Sequence, residues 1–229
     1  MTFAGMVRAS FVDDPGQIAC VLFVPGCNYD CFYCHNRPLL SGPQQRIPEE
    51  EALAFLQKRV GRLDSVVVTG GEPTLQPGLI PFLRKAKALG YRLKLDTNGS
   101  RPDVVAQVLE TGLCSYFAVD YKAPASRYAE LCRGDADAAA TLATLELLRT
   151  AGVDFEARTT VIPQLTPEDL LRMARELPPL PRYVLNPYRR PACYRPEDEA
   201  LVARTPHTPG EIAQMAERVR AVQPNVTVL

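Results

Sequence analysis

Short apolar runs alternate with amphipathic stretches along the chain. The apolar runs are rich in β-branched and aromatic residues and predict strands, whereas the stretches between them carry apolar residues at helical spacing. Several predicted helices open with proline, and Gly90, Gly112 and Gly152 follow helices as C-terminal caps. The predicted strands are 18–24, 65–69, 91–96, 115–120, 153–162 and 183–185, and the predicted helices are 48–60, 77–90, 102–112, 138–152, 167–177 and 209–222.

This alternation of strands and helices predicts an α/β fold with a mainly parallel sheet, since crossover helices return each strand to the same direction. The periodicity does not distinguish an open, doubly wound sheet from a barrel. We expect a single domain over residues 1–229, with a core at about 14–190 and a proline-rich loop and final helix at 191–229. Both architectures bind ligands at the carboxyl ends of their strands. Unusual residues follow four predicted strands, at 27–34, 70–73, 96–99 and 120–122.

Charge and hydropathy exclude several classes of protein. The chain has 26 Lys plus Arg against 26 Asp plus Glu, so it lacks the global positive charge typical of nucleic-acid-binding proteins. It contains no run of about 18 apolar residues, and its first residues lack the basic and then apolar order of a signal peptide. We therefore expect a cytoplasmic protein without a nucleic-acid or membrane partner.

Three of the seven cysteines, Cys27, Cys31 and Cys34, form a CxxxCxxC pattern within eight residues. Because cytoplasmic thiols stay reduced, this crowding predicts metal or redox chemistry rather than a disulfide framework. Three thiolates on one loop suit an iron–sulfur cluster, and a [4Fe–4S] cluster held by three cysteines has one iron open to a further ligand. A zinc site completed by Cys20 or Cys193, and a redox pair of Cys31 with Cys34, are the alternatives.

The remaining cysteines carry weaker signals. Cys20 lies within an apolar strand and Cys114 precedes another, so both are expected to pack in the core. Cys132 and Cys193 are isolated in the sequence and are assigned no role.

The cysteine segment PGCNYDCFYCHN is followed by three further motifs, GGEPTLQ at 70–76, LDTNG at 95–99 and VDYKAP at 119–124. Together they resemble the radical S-adenosylmethionine (SAM) superfamily, and within it the activating enzymes of glycyl radical enzymes. The similarity is greatest to the longer form of the activating proteins of anaerobic ribonucleoside-triphosphate reductase. It runs from about residue 14 to residue 163 and weakens beyond. The resemblance implies a partial (β/α)6 barrel that is open on one side.

For the site, the resemblance implies a [4Fe–4S] cluster on Cys27, Cys31 and Cys34 whose open iron binds the amino and carboxylate groups of SAM. The GGE residues would lie beside the methionyl ammonium, and Lys122 would face the methionyl carboxylate. The two aspartates of the later motifs would bond SAM or hold a monovalent cation. The implied cofactor-binding residues are Tyr33, His35, Gly70, Gly71, Glu72, Asp96, Thr97, Asn98, Asp120 and Lys122.

Two features separate the chain from related activating enzymes. The pyruvate formate-lyase activating enzymes have a SAM-contacting His after a late strand, where this chain reads VLNPYRRP, so Asn186, Tyr188 and Arg189 are the candidates for that contact. No further cysteine stands between Cys34 and Gly70, so the chain resembles the single-cluster form.

The resemblance implies an enzyme that reductively cleaves SAM and uses the 5′-deoxyadenosyl radical to generate a glycyl radical on anaerobic ribonucleotide reductase. A flavodoxin or ferredoxin would donate the electron. The alternatives are activation of pyruvate formate-lyase or another glycyl radical enzyme, a radical SAM reaction on a small molecule as in deazapurine synthesis, and a zinc-stabilised binding module. A candidate docking surface for the partner carries Arg182, Arg189, Arg190 and Arg195.

Overall fold

The computed structural model of the chain describes residues 1–40 and 46–229. The strands are β1 Thr2–Phe3, β2 Gly5–Ser10, β3 Ala19–Val24, β4 Ile47–Pro48, β5 Ser65–Gly70, β6 Arg92–Thr97, β7 Tyr116–Asp120, β8 Phe155–Val161, β9 Tyr183–Pro187 and β10 Val226–Val228. The helices are α1 Arg37–Leu40, α2 Glu49–Gln57, α3 Leu79–Ala88, α4 Pro102–Glu110, α5 Tyr128–Cys132, α6 Ala138–Ala151, α7 Pro167–Glu176, α8 Glu199–Val202 and α9 Pro209–Arg220.

The chain folds as two compact units. Unit 1 comprises Met1–Cys27, Pro38–Thr97 and Asp103–Ala118, and unit 2 comprises Asn28–Arg37, Asn98–Pro102 and Val119–Leu229. Cys27 therefore belongs to unit 1, whereas Cys31 and Cys34 belong to unit 2.

Unit 1 is built on a sheet with the strand order β2, β3, β5, β6, followed by the start of β7. The pairs β3–β5 and β5–β6 are parallel, and β2 is an antiparallel edge strand. Most side chains of β3 and β5 are buried, as expected for parallel strands covered on both faces. Parallel pairing brings the carboxyl ends of β3, β5 and β6 to one edge of this unit.

Unit 2 contains the end of β7 and the strands β8, β9 and β10, in that order, with parallel β8–β9 and β9–β10 pairs. Its helices have well-defined ends. α7 begins at the capping box of Thr166 with Asp169, and α9 begins at that of Thr208 with Glu211. α6 ends at Gly152, whose φ of 68° places it in the left-handed region.

The predicted α/β fold class is confirmed. Each predicted strand and helix is present, with its ends shifted by a few residues. The prediction missed β1, β2, β4 and β10; because β10 pairs with β9, the last residues extend the sheet beyond the final helix.

The single domain over 1–229 stays a prediction, and residues 41–45 of that range lie outside the described residues. No helix among the described residues is long and apolar enough to cross a membrane.

Candidate cluster and cofactor site

The cysteine loop, residues 28–37, is held by backbone and side-chain hydrogen bonds within unit 2. Asp30 N donates to the Cys132 carbonyl at 3.0 Å, and Asp135 N donates to the Asn28 carbonyl at 2.9 Å. The guanidinium of Arg37 donates to Asp30 Oδ1 at 2.9 Å and to the Cys31 carbonyl at 2.8 Å. These bonds hold the loop backbone in place.

The two thiols of this loop lie in different surroundings. Cys31 is buried, and a hydrogen bond from the Cys132 thiol lowers the pKa of Cys31 below its usual value. Burial raises the pKa of Cys34, whereas the nearby positive charge of Lys122 opposes that rise. Tyr33, between them in sequence, is buried, and its hydroxyl has no hydrogen-bond partner among the described residues.

Lys122 belongs to a charged group at the end of β7. Its ammonium donates to Asp120 Oδ2 at 2.9 Å, and Arg158 Nε donates to Asp120 Oδ1 at 3.0 Å. Burial opposes ionisation of Asp120, but Lys122 and Arg158 outweigh it and lower the pKa of Asp120 to about 2. Burial would also lower the pKa of Lys122, yet the negative charges of Asp120 and of an ionised Cys31 sulfur raise it well above its usual value. The group therefore presents a fixed cation close to the thiols of unit 2.

In unit 1, the GGE turn packs directly on the backbone that precedes Cys27. Gly71 N donates to the Val24 carbonyl at 2.9 Å, and Glu72 N donates to the Gly26 carbonyl at 2.8 Å. A Cβ on Gly71 would lie 1.7 Å from Gly26 O, and one on Gly70, whose φ is +117°, would lie 2.4 Å from Val24 N. A side chain at either position would clash with neighbouring backbone atoms, so both positions require glycine.

The carboxylate of Glu72 is buried in unit 1. Its Oε1 accepts hydrogen bonds from Thr74 N at 3.0 Å, from the Thr74 hydroxyl at 2.6 Å and from the Thr97 hydroxyl at 2.7 Å. Glu72 therefore caps the short turn after β5 and joins it to the end of β6. A contact of Glu72 or Thr97 with SAM stays a prediction.

Asp96 forms a buried ion pair that the sequence analysis did not predict. Lys94 Nζ lies 2.8 Å from Asp96 Oδ1 and donates to the Asp13 carbonyl at 2.6 Å, with the Tyr116 ring 5.8 Å from the ammonium. The cation beside Asp96 is thus the ammonium of Lys94. A monovalent cation at Asp96 or Asp120 stays a prediction.

The remaining predicted residues have varied surroundings. Asn98 is buried in unit 2 and bonds to Asn28, and His35 is exposed. Tyr188, a candidate for the adenosine side, is buried and donates to the Val202 carbonyl at 2.9 Å.

Three arginines of the candidate docking surface form ion pairs: Arg182 with Glu156, Arg190 with Glu199, and Arg195 with Asp30.

All seven cysteines are free thiols. The expected core positions of Cys20 and Cys114 agree with their burial, which raises the pKa of each to about 12.

Sequence reasoning missed Lys94, Arg158 and Cys132. Among residues 1–40 and 46–229, no group of three His, Cys, Asp or Glu side chains is placed to hold a single metal ion.

The donor set fits the iron–sulfur cluster that the resemblance implies. Cys27, Cys31 and Cys34 would supply soft thiolate ligands to it, and hydrogen bonds hold the loop backbone from Asn28. A cation at Lys122 compensates negative charge on the thiolates of unit 2. The buried Tyr33 hydroxyl, which lacks a partner among the described residues, offers a donor to a bound group.

Comparison with known proteins connects this geometry to one family. The family model described as the Radical SAM superfamily matches residues 21–177. A protein of Methanocaldococcus jannaschii, named provisionally as a glycyl-radical enzyme activating enzyme, is 29% identical over 221 residues, which cover 94% of this chain and 91% of that protein. The 7-carboxy-7-deazaguanine synthase of Koribacter versatilis is 35% identical over 114 residues, or 48% of this chain and 46% of the synthase.

Among solved structures, Streptococcus suis SuiB bound to S-adenosylmethionine has a similar fold, with a TM-score of 0.68 at 13% identity. The match covers 91% of this chain and 51% of SuiB, so the chain spans about half the length of SuiB and of the synthase. The family match covers more than half of the chain and includes the cysteine, GGE, DTNG and VDYK motifs. This chain therefore belongs to the radical SAM superfamily of enzymes.

Proposed function

We propose that this chain is an activating enzyme that generates a glycyl radical on a partner enzyme, with anaerobic ribonucleotide reductase as the first candidate. The observation that carries the proposal is the similarity to the M. jannaschii protein, which extends over 94% of this chain and 91% of that protein. The match to the deazaguanine synthase covers less than half of either chain. Similarity over nearly the full length of both proteins favours the activating enzymes over a small-molecule radical SAM enzyme.

Radical SAM enzymes use S-adenosylmethionine and an iron–sulfur cluster, and we propose a [4Fe–4S] cluster on Cys27, Cys31 and Cys34. When bound, such a cluster would supply the one electron needed to break the S–C5′ bond of SAM, and the 5′-deoxyadenosyl radical so formed would take a hydrogen atom from the partner's glycine. A flavodoxin or ferredoxin is the proposed electron donor.

In this proposal, the chain's own residues bind SAM and keep water away from the thiolates. Lys122 Nζ, held by Asp120, supplies the positive charge that binds the methionyl carboxylate. Arg158 holds the other oxygen of Asp120 and keeps that carboxylate ionised. Buried Tyr33 and Cys31 belong to surroundings that exclude water from the thiolates. No protein acid or base is required for hydrogen-atom abstraction.

The test uses anaerobically purified chain, SAM, a chemical reductant and each candidate glycyl radical enzyme. We expect about four irons per chain and a glycyl doublet in the electron paramagnetic resonance spectrum of the partner. Cys31→Ala should lose the iron and the doublet, whereas Cys193→Ala, which alters an exposed thiol, should keep both.

Three outcomes separate the alternatives. A doublet with pyruvate formate-lyase and none with the reductase would reassign the partner. SAM cleavage without a doublet on any glycyl radical enzyme would favour a small-molecule substrate. One zinc per chain and no iron would contradict the enzymatic proposal and support a zinc-stabilised module.

A further inference from the structure

Arg133 has a strained backbone conformation beside the cysteine loop, in unit 2. Among the residues that the structure describes, it is the only one other than glycine with a positive φ, with φ at 55° and ψ at −174°. A Cβ makes a positive φ unfavourable, whereas glycine adopts it readily. Such a conformation persists only where other contacts compensate its cost. The contacts of Arg133 therefore identify what the strain maintains.

The turn around Arg133 packs against the cysteine loop through backbone hydrogen bonds. The Cys132 carbonyl accepts from Asp30 N at 3.0 Å, and Asp135 N donates to the Asn28 carbonyl at 2.9 Å. Because these two bonds lie on either side of Arg133 in sequence, a large change in its φ or ψ would break at least one of them. The loop and the turn therefore constrain each other.

The side chain of Arg133 contacts both the cysteine loop and the C-terminal part of the chain. Its Cζ lies 5.9 Å from the centroid of the buried Phe32 ring, which belongs to the loop. Its two terminal nitrogens donate to the two oxygens of Asp198, at 2.7 and 3.1 Å. The Asp198 side chain is 1% exposed, so the guanidinium supplies the counter-charge that a buried carboxylate requires.

Asp198 ends a short segment, residues 195–198, which we call the strap. At the other end of the strap, Arg195 Nη2 lies 2.7 Å from Asp30 Oδ2 of the cysteine loop. The Arg195 side chain is 47% exposed, and an exposed ion pair contributes little, whereas the loss of one partner from a buried pair is costly. The bond between Arg133 and Asp198 is therefore the stronger of the two attachments.

We propose that Arg133 is a positioning residue, whose strained backbone directs the guanidinium to Phe32 and Asp198 and so holds the strap closed on the cysteine loop. This inference rests on the proposed function, because it takes Cys31 and Cys34 of that loop as cluster ligands. Arg133 contacts neither the cluster nor SAM. It limits how often the loop opens, and iron can leave the loop only through such an opening.

The test measures iron release from the reconstituted full chain to a chelator, and urea unfolding of the cluster-free chain. Arg133→Ala removes the guanidinium but keeps a Cβ, so the backbone strain stays. Arg133→Gly removes both the guanidinium and the strain. Asp198→Asn removes the charge of the partner and leaves Arg133 unchanged. Arg149→Ala is the matched control, because Arg149 also forms a two-pronged bond in unit 2, with Glu146, but on the exposed surface of α6.

We expect both Arg133 variants to release iron about tenfold faster than the wild type, because the closed loop loses a charge-assisted bond to a buried carboxylate. The equilibrium constant for unfolding should be about tenfold smaller for Arg133→Gly than for Arg133→Ala, since only alanine keeps the strain. Asp198→Asn should release iron faster by a smaller factor, because its amide oxygen still accepts a hydrogen bond. Arg149→Ala should release iron at the wild-type rate.

Iron release at the wild-type rate from both Arg133 variants would overturn the inference and leave the proposed function intact. Release that follows stability, slow for Arg133→Gly and fast for Arg133→Ala, would show that Arg133 only stabilises the fold and would overturn the inference as well. If neither variant folds, Asp198→Asn decides: faster release supports the inference, and wild-type release overturns it. Absence of iron from the wild type would instead refute the proposed function, and the inference with it.

Discussion

The side-chain amide of Asn98 donates a 2.9 Å hydrogen bond to the side-chain oxygen of Asn28, the residue that follows Cys27. Asn98 is itself fixed, because its Oδ1 accepts from Ser100 N at 2.9 Å and its carbonyl accepts from the Thr141 hydroxyl at 3.0 Å. Asn98 therefore supports the cysteine loop within unit 2.

Asn98→Ala should loosen this loop. Losing the bonds of this buried amide to Asn28 and Ser100 should lower the free energy of unfolding by about 1–3 kcal/mol. The variant should also lose iron to a chelator faster than the wild type. Ser100→Ala, which removes only a 3.4 Å contact with Asn28, is the control and should change little. Equal iron-release rates for Asn98→Ala and wild type would contradict this role.

Gly71→Ala should displace the backbone that leads into Cys27. Its new Cβ would meet Gly26 O at 1.7 Å, so we expect a loss of at least about 3 kcal/mol in urea unfolding. Gly210→Ala is the matched control, because nothing lies within 4 Å of a Cβ there, and its effect should stay within about 1 kcal/mol. A Gly71→Ala protein as stable as the control would refute the close approach.

Substitutions of Glu72 should separate its hydrogen bonding from its charge. Glu72→Gln keeps an oxygen that can accept from Thr74 and Thr97, so we expect a loss within about 1 kcal/mol. Glu72→Ala leaves these buried donors without an acceptor and should cost about 2–4 kcal/mol. Urea unfolding of both variants measures this difference. If the glutamine variant were as unstable as the alanine variant, the charge of Glu72 would be essential to the fold.

Asp120 should make the stability of the cluster-free chain depend on acid. Its pKa is lowered from 3.8 to about 2, so between these pH values the unfolded chain binds more protons than the folded chain. The stability that Asp120 contributes is therefore complete above about pH 4 and is lost as the pH falls towards 2. Asp120→Asn should flatten the pH dependence of unfolding between pH 3 and 4, and an unchanged slope would count against the ion pairs with Lys122 and Arg158.

Most of the fold could be predicted from local sequence pattern. β3 is apolar throughout, because a parallel strand buries both faces, and α7 opens with the Thr166 capping box that marks a helix start. The edge strand β2 was missed because its side chains are largely exposed and carry no buried pattern. β10 was missed because three residues are too few to show a period.

Only those parts of the site that lie in short sequence motifs could be predicted. The cysteine spacing and the GGEP motif each identify a short run of residues. Within unit 1, the tight contact of Gly71 with Gly26 agrees with the choice of glycine. Arg158 and Cys132 were missed because their partners, Asp120 and the cysteine loop, are brought close only by folding. Lys94 was missed although its partner Asp96 lies only two residues away on the same strand. A lysine within the apolar strand RLKLD was the one available signal, since a buried ammonium requires a carboxylate.

Transfer of a single hydrogen atom tests the central claim most directly. The partner reductase would be prepared with glycine deuterated at Cα and mixed anaerobically with the reduced chain and SAM, and the 5′-deoxyadenosine formed would be analysed by mass spectrometry. The proposed function predicts one deuterium in the 5′-deoxyadenosine, together with a glycyl radical on the reductase. 5′-Deoxyadenosine that forms without deuterium, in the presence of each candidate glycyl radical enzyme so labelled, would contradict it.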